Sequence, residues 1–93
     1  KEEPLEVMVK KYTTKKAFAV LFTNRQEKVV TGSYPLHSMI EIDNGTCYNW
    51  DEKGSSLIGT QTNINISLNP HESKLFYIST DGKGPGNMTL GGK

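Results

Sequence analysis

Ser67-Leu68-Asn69-Pro70-His71-Glu72-Ser73-Lys74-Leu75-Phe76-Tyr77-Ile78-Ser79 is a turn that feeds the most apolar run in the second half of the chain. Asn69 precedes a proline and is pushed into an extended conformation, while Pro70 fixes its own φ and suits a tight turn. The pair therefore marks a corner between two strands. Leu75, Phe76, Tyr77 and Ile78 are apolar or aromatic without alternation, which in so short a segment indicates a strand covered on both faces. Such a strand is central in its sheet. No residue here stands in an obvious nucleophile motif or a metal-ligand cluster, so the stretch speaks of fold.

Working upstream, the alternation in Ile64, Ile66 and Leu68, with Asn65 and Ser67 between them, predicts a half-buried strand leading into that corner. Ala17 to Phe22 predicts a second central strand, with Phe18, Val20 and Phe22 filling the main core. Its other face, Ala17, Ala19 and Leu21, is small enough for close approach of another layer. Leu5 to Tyr12 fits a helical stripe and an alternating strand alike. Its β-branched centre and the turn-like Thr13-Thr14-Lys15-Lys16 favour the strand. Lys28 to Thr31 is a brief strand ended by Gly32-Ser33-Tyr34-Pro35. Met39 to Asp43 and Thr46 to Trp50 read as an antiparallel hairpin about Asn44-Gly45. Leu57-Ile58 begins another short strand. With no convincing helix, the sum is seven or eight short strands in an all-β antiparallel sandwich of Greek-key type. That domain spans 1–80, and the glycine-rich 81–93 is expected to be a mobile tail.

At 93 residues the chain suits one domain, which hides about two-thirds of its unfolded surface. The formal charge of +1 and the mixing of Lys with Glu lack the clustered basic face of a nucleic-acid binder. Lys10-Lys11 and Lys15-Lys16 read as solvated turn residues. No apolar run approaches the length of a membrane span and no signal-peptide pattern opens the chain, so neither nucleic acid nor membrane is an expected partner. The first residue, Lys1, fits a chain cut from something longer. One cysteine, Cys47, excludes an internal disulfide and reads as a buried, inert thiol. Three glycosylation sequons begin at Asn44, Asn65 and Asn87; they imply glycans if the source is eukaryotic and secretory, and are chance matches in an Asn-rich sequence if it is bacterial.

Three blocks in this order resemble the C-terminal β-domain of α-galactosidase-like (melibiase-type) glycoside hydrolases. Leu5-Glu6-Val7-Met8-Val9-Lys10, a polar turn and Ala17 to Arg25 are similar to the family's paired opening strands, which end in an Asn-Arg element. Tyr48-Asn49-Trp50-Asp51-Glu52-Lys53-Gly54 with Leu57-Ile58-Gly59-Thr60 is similar to its strand, Trp and turn before a leucine-glycine step. Leu68 to Phe76 is like its closing turn and strand. Met8 stands where many relatives carry an aromatic residue, and Ser33 to Ile42 follows the pattern loosely. The resemblance implies a non-catalytic accessory domain whose partner is the catalytic (β/α)8 barrel of the same parent chain. It goes with an extracellular, periplasmic or lysosomal location. No catalytic residue carries over, because in that family the nucleophile and the acid/base carboxylates lie on the barrel.

The residues give little chemistry of their own. Glycoside hydrolysis needs two carboxyl groups about 5 Å apart for retention or roughly 6.5–9.5 Å apart for inversion. Glu41 and Asp43, two apart on an expected strand, would stand about 7 Å apart on one face, as any solvated strand face allows. His37 and His71 lie in expected turns with no ligand cluster around them, so no metal is expected. Gly82-Lys83-Gly84-Pro85-Gly86 lacks the residues and helix of a phosphate loop, and no cofactor is expected. Carbohydrate is the alternative partner: Trp50, with Tyr48 on the same strand face and Tyr34 or Tyr12 nearby, would form a stacking platform for sugars. The competing reading packs Trp50 over the end of the sandwich or against the barrel. An immunoglobulin-like adhesion module is the third class.

Overall fold

The computed structural model of the protein describes residues 5–86. Among them run β1 (Glu6–Tyr12), β2 (Ala17–Thr23), β3 (Val30–Pro35), α1 (Leu36–Ile40), β4 (Gly45–Asp51), β5 (Gly54–Gln61), β6 (Asn63–Leu68) and β7 (Ser73–Ser79). The strands form a five-stranded sheet in the order β1-β2-β7-β4-β5 and a two-stranded sheet, β3-β6. Every pairing is antiparallel, which makes the domain an all-β sandwich. As its apolar run requires, β7 is central. It pairs with β2 from Ala17↔Ser79 to Thr23↔Ser73 and with β4 from Thr46↔Ser79 to Asn49↔Phe76. The chain reaches it by crossing from the small sheet at the Asn69-Pro70 corner, where His71 takes the left-handed conformation at φ 62. That return of the last strand between β2 and β4 is the Greek-key element of the topology.

Strand alternation fills the space between the sheets. Phe22, Val20, Phe76, Ile78 and Cys47 face inward from the large sheet, and Val30, Ile64, Ile66 and Leu68 meet them from the small one. Phe22 is the hub, edge-on to Phe76 at 5.7 Å and to Tyr34 at 5.1 Å between ring centroids. Burial of each such side chain contributes about 1.5–3 kcal/mol. Where β2 leaves the sheet, the fully buried Asn24 ties the two layers together. Its Nδ2 reaches the carbonyls of Lys28 (2.8 Å), Leu68 (3.1 Å) and Asn69 (3.0 Å), and its Oδ1 accepts from Gln26 N at 2.9 Å. Its backbone N–H donates to Glu72 O at 2.8 Å. The closing corner is thus bonded to the end of β2.

Three local expectations need correction. The stretch expected as a strand from Met39 to Asp43 instead belongs to the end of α1 and the loop after it. Leu36 and Ile40, four apart, are both buried and Met39 packs beside them, so the apolar pattern serves a helical face. Pro35 at φ −64 precedes the helix, and Glu41 ends it in the left-handed conformation at φ 62. The hairpin of β4 is therefore made with β5 through Glu52-Lys53, not about Asn44-Gly45. Gly45 is required for another reason: a Cβ there would lie 2.8 Å from Ile78 Cγ2. Finally, β3 runs on through Gly32-Ser33-Tyr34-Pro35. Val30, Gly32 and Tyr34 alternate inward opposite Leu68, Ile66 and Ile64, and Pro35 at the end of an edge strand removes no ladder bond the fold needs.

Candidate functional site

In a sandwich each sheet also has an outer face, and the register fixes what it carries. On the large sheet, Met8, Lys10 and Tyr12 of β1 stand opposite Leu21, Ala19 and Ala17 of β2. Leu21 and Ala19 stand opposite Leu75 and Tyr77 of β7, Tyr77 faces Tyr48 of β4, and Tyr48 and Trp50 face Leu57 and Ser55 of β5. The result is a second apolar layer, centred on Tyr77. Its ring meets Trp50 at 5.4 Å and Tyr48 at 6.2 Å, both edge-on, and Tyr12 at 6.0 Å. Tyr12, Ala17, Ala19, Trp50 and Tyr77 are all buried in this layer. Small residues on β2 thus do permit close approach, and what approaches is the tyrosine rings of the adjacent strands. Lys10 Nζ lies 5.2 Å from the Tyr12 ring centroid, a cation over an aromatic face.

The rim of this layer is open. Met8 at one edge of the sheet is 58% exposed and Leu57 at the other is 65% exposed. A groove of about 350 Å³ runs beside Met8, Tyr12 and Ala19, and a second of about 660 Å³ extends toward Asp51, Glu52 and Glu72. The two meet at Leu21, Trp50 and Leu75. Four strand spacings of about 4.8 Å by six residue rises of about 3.3 Å give the sheet face an extent of roughly 400 Å², of which the centre is filled by buried rings and the rim is exposed.

The expected site residues fall as follows. Tyr48, Trp50 and Tyr12 come together, and Tyr34 does not, because it points into the core against Phe22. Trp50 is only 5% exposed, with Tyr77 edge-on to it, so its ring is committed to the layer. The Tyr48 hydroxyl donates to Gly82 O at 2.8 Å, and Gly84 sits so close that a Cβ would lie 2.9 Å from Tyr48 Cε2. The start of the segment expected as a tail at 81–93 is thereby packed on the domain, and Pro85 is buried; residues 87–93, with the Asn87 sequon, lie outside the described residues. Glu41 and Asp43 share no strand face. Glu41 caps α1, and Asp43 pairs with His37 Nδ1 at 3.3 Å, all in solvent. His37 thus lies in α1 and not in a turn, while His71 bonds Glu27 at 2.8 Å. Among the described residues no three His, Cys, Asp or Glu side chains are grouped as metal ligands.

Burial sets the protonation of this region. It raises the phenols of Tyr12 and Tyr77 above their ordinary 10.0, with Asp81, Tyr12 and Tyr48 adding to the effect on Tyr77. Across the sheet, burial pushes the Cys47 thiol up to about 11, and Cys47 is the unreactive core thiol expected. Sequence reasoning did not single out Met8, Leu75, Tyr77 and Leu57 as a surface. The signal was present in β2 and β7, which are apolar on both faces although one sheet face suffices for one core.

No family model matches the chain, and no curated protein does. Solved structures do. A proposed α-N-acetylgalactosaminidase of Bacillus halodurans C-125 matches over 87% of this chain with TM-score 0.71 and 22% identity. A GH27 β-L-arabinopyranosidase of Geobacillus stearothermophilus, solved with arabinose, matches over 84% with TM-score 0.72 and 20% identity. The fold is shared with a portion of these enzymes. This chain spans 19% of the first and 18% of the second.

Proposed function

We propose that the chain is the non-catalytic C-terminal accessory domain of a glycoside hydrolase of the α-galactosidase-like kind, and that it docks on the catalytic (β/α)8 barrel through the outer face of its five-stranded sheet. The observation that carries this reading is the aromatic layer about Tyr77, with Met8 and Leu57 exposed at its two edges. The rings of the layer are buried, so the surface a partner would cover is its open rim, Met8 and Leu57 with the grooves that meet at Leu21, Trp50 and Leu75. The shared fold supplies the kind of partner, since the neighbouring chains are about five times longer and are described as glycosidases. Docking contributes stability to the barrel and sets one wall near it; the domain itself supplies no acid, base or nucleophile to the reaction.

The test is a parent chain carrying Met8→Glu and Leu57→Glu together. Each change puts a carboxylate into the contact, where an unpaired charge is costly. The expected result is a lower melting temperature and faster thermal inactivation of the hydrolase, with kcat per folded molecule retained. Unchanged thermal inactivation would sink the docking face. Carbohydrate on Trp50 and Tyr48 has a buried indole and a half-buried phenol to stack on, and a galactose or melibiose titration that shifted the Trp50 indole signal would favour it over docking.

A further inference from the structure

The outer face of the small sheet has the opposite chemistry. Register places Thr31, Ser33, Asn63, Asn65 and Ser67 outward, hydroxyls and amides without a charge or a large apolar group. They pair with one another: Thr31 Oγ1 lies 3.1 Å from Ser67 Oγ, and Asn63 Nδ2 donates to Ser33 Oγ at 2.9 Å. Asn65 is exposed, and its amide has no side-chain hydrogen bond among the described residues. A shallow depression of about 400 Å³ runs beside it along Thr31, Ser33 and Ser67. In Asn65-Ile66-Ser67, strand alternation turns the two polar residues out and buries Ile66, so a substituent on Asn65 extends into solvent without disturbing the core. The sequon at Asn44 is also exposed, but the chain enters the crowded close approach of Gly45 on Ile78 at the next residue.

We propose that Asn65 is a modification site carrying an N-linked glycan on the face opposite the aromatic layer. The donor is an oligosaccharide held through pyrophosphate on a lipid. A bond forms between Asn65 Nδ2 and the anomeric carbon of the first sugar, the bond from that carbon to the pyrophosphate oxygen breaks, and the lipid pyrophosphate leaves with the electron pair as the amide loses one proton. This assigns the chain to a secretory route. The glycan surrounds a polar face and leaves the docking face clear, so the site stands or falls independently of the docking reading.

Protein isolated from its own source tests it directly. Trypsin yields Gly54–Lys74, which contains Asn65 as its one sequon. The expected result is a glycopeptide that N-glycosidase converts to the bare peptide with Asp at 65, and that disappears in Asn65→Gln or Ser67→Ala without loss of thermal stability. Recovery of Gly54–Lys74 wholly unmodified, with Asn at 65, would overturn the assignment.

Discussion

The two outer faces of this sandwich come from strands of similar length and the same antiparallel pairing, yet one is a layer of tyrosines, tryptophan and alanines and the other a lattice of hydroxyls and amides. The difference lies in what stands opposite the core positions. In β6 the residues between Ile64, Ile66 and Leu68 are Asn and Ser; in β7 the residues that alternate with Phe76 and Ile78 are Leu75 and Tyr77. A strand that is apolar on one face needs only the core, whereas β2 and β7, apolar on both, need a second cover. Part of that cover is internal, since the rings pack on one another. The rest, Met8 and Leu57 at the two edges, stays exposed in this chain, and on the docking proposal a partner covers it.

The sharpest way to break the contrast is at its two centres. Tyr77→Ala removes the ring on which Trp50, Tyr48 and Tyr12 all pack, and should cost about 3–5 kcal/mol, read as a large drop in the denaturant midpoint. A loss below 1 kcal/mol would mean the outer layer is decoration. Gly45→Ala should cost about 1–3 kcal/mol, because its methyl meets Ile78 Cγ2 and the backbone carbonyl of Ser79. Alkaline titration sharpens the comparison of layers. Cys47, Tyr12 and Tyr77 keep their protons in the fold to higher pH than in the unfolded chain, so the unfolded state loses protons first. Stability should be full below about pH 9 and fall as pH rises from there through 11, and a pH-independent midpoint across that window would contradict the burial of these groups. The smallest effect belongs to the polar face: Asn65→Gln in the unglycosylated chain should lie within about 0.5 kcal/mol of the wild type.

Much of this was legible in the residues. The central place of β7, the inward triplet Phe18, Val20 and Phe22 and the corner at Asn69-Pro70 followed from apolar runs and proline geometry, which are local. Leu36 to Ile40 was not. Leu36, Met39 and Ile40 carry a helical stripe, but five residues are too few to separate it from a strand without knowing that β4 already has partners on both sides in β5 and β7. Gly45 illustrates the same limit, as a dipeptide suited to a turn is here used for close approach. At the candidate site, Tyr48 and Trp50 were legible as one face, yet their commitment to Tyr77 depends on pairing between residues far apart in sequence. The role of Asn24 as the tie between sheets is likewise invisible until Leu68 and Asn69 are brought beside it.

The most direct measurement on the docking claim is the rate of Met8 oxidation by dilute peroxide, followed by mass spectrometry in this chain alone and in the parent enzyme. Met39, half-buried in α1, serves as the internal reference. The account expects Met8 to oxidise readily in the isolated chain and to be strongly protected in the parent, while Met39 behaves alike in both. Equal oxidation of Met8 in the two would contradict it, leaving the aromatic face of the five-stranded sheet turned to solvent in the assembled enzyme.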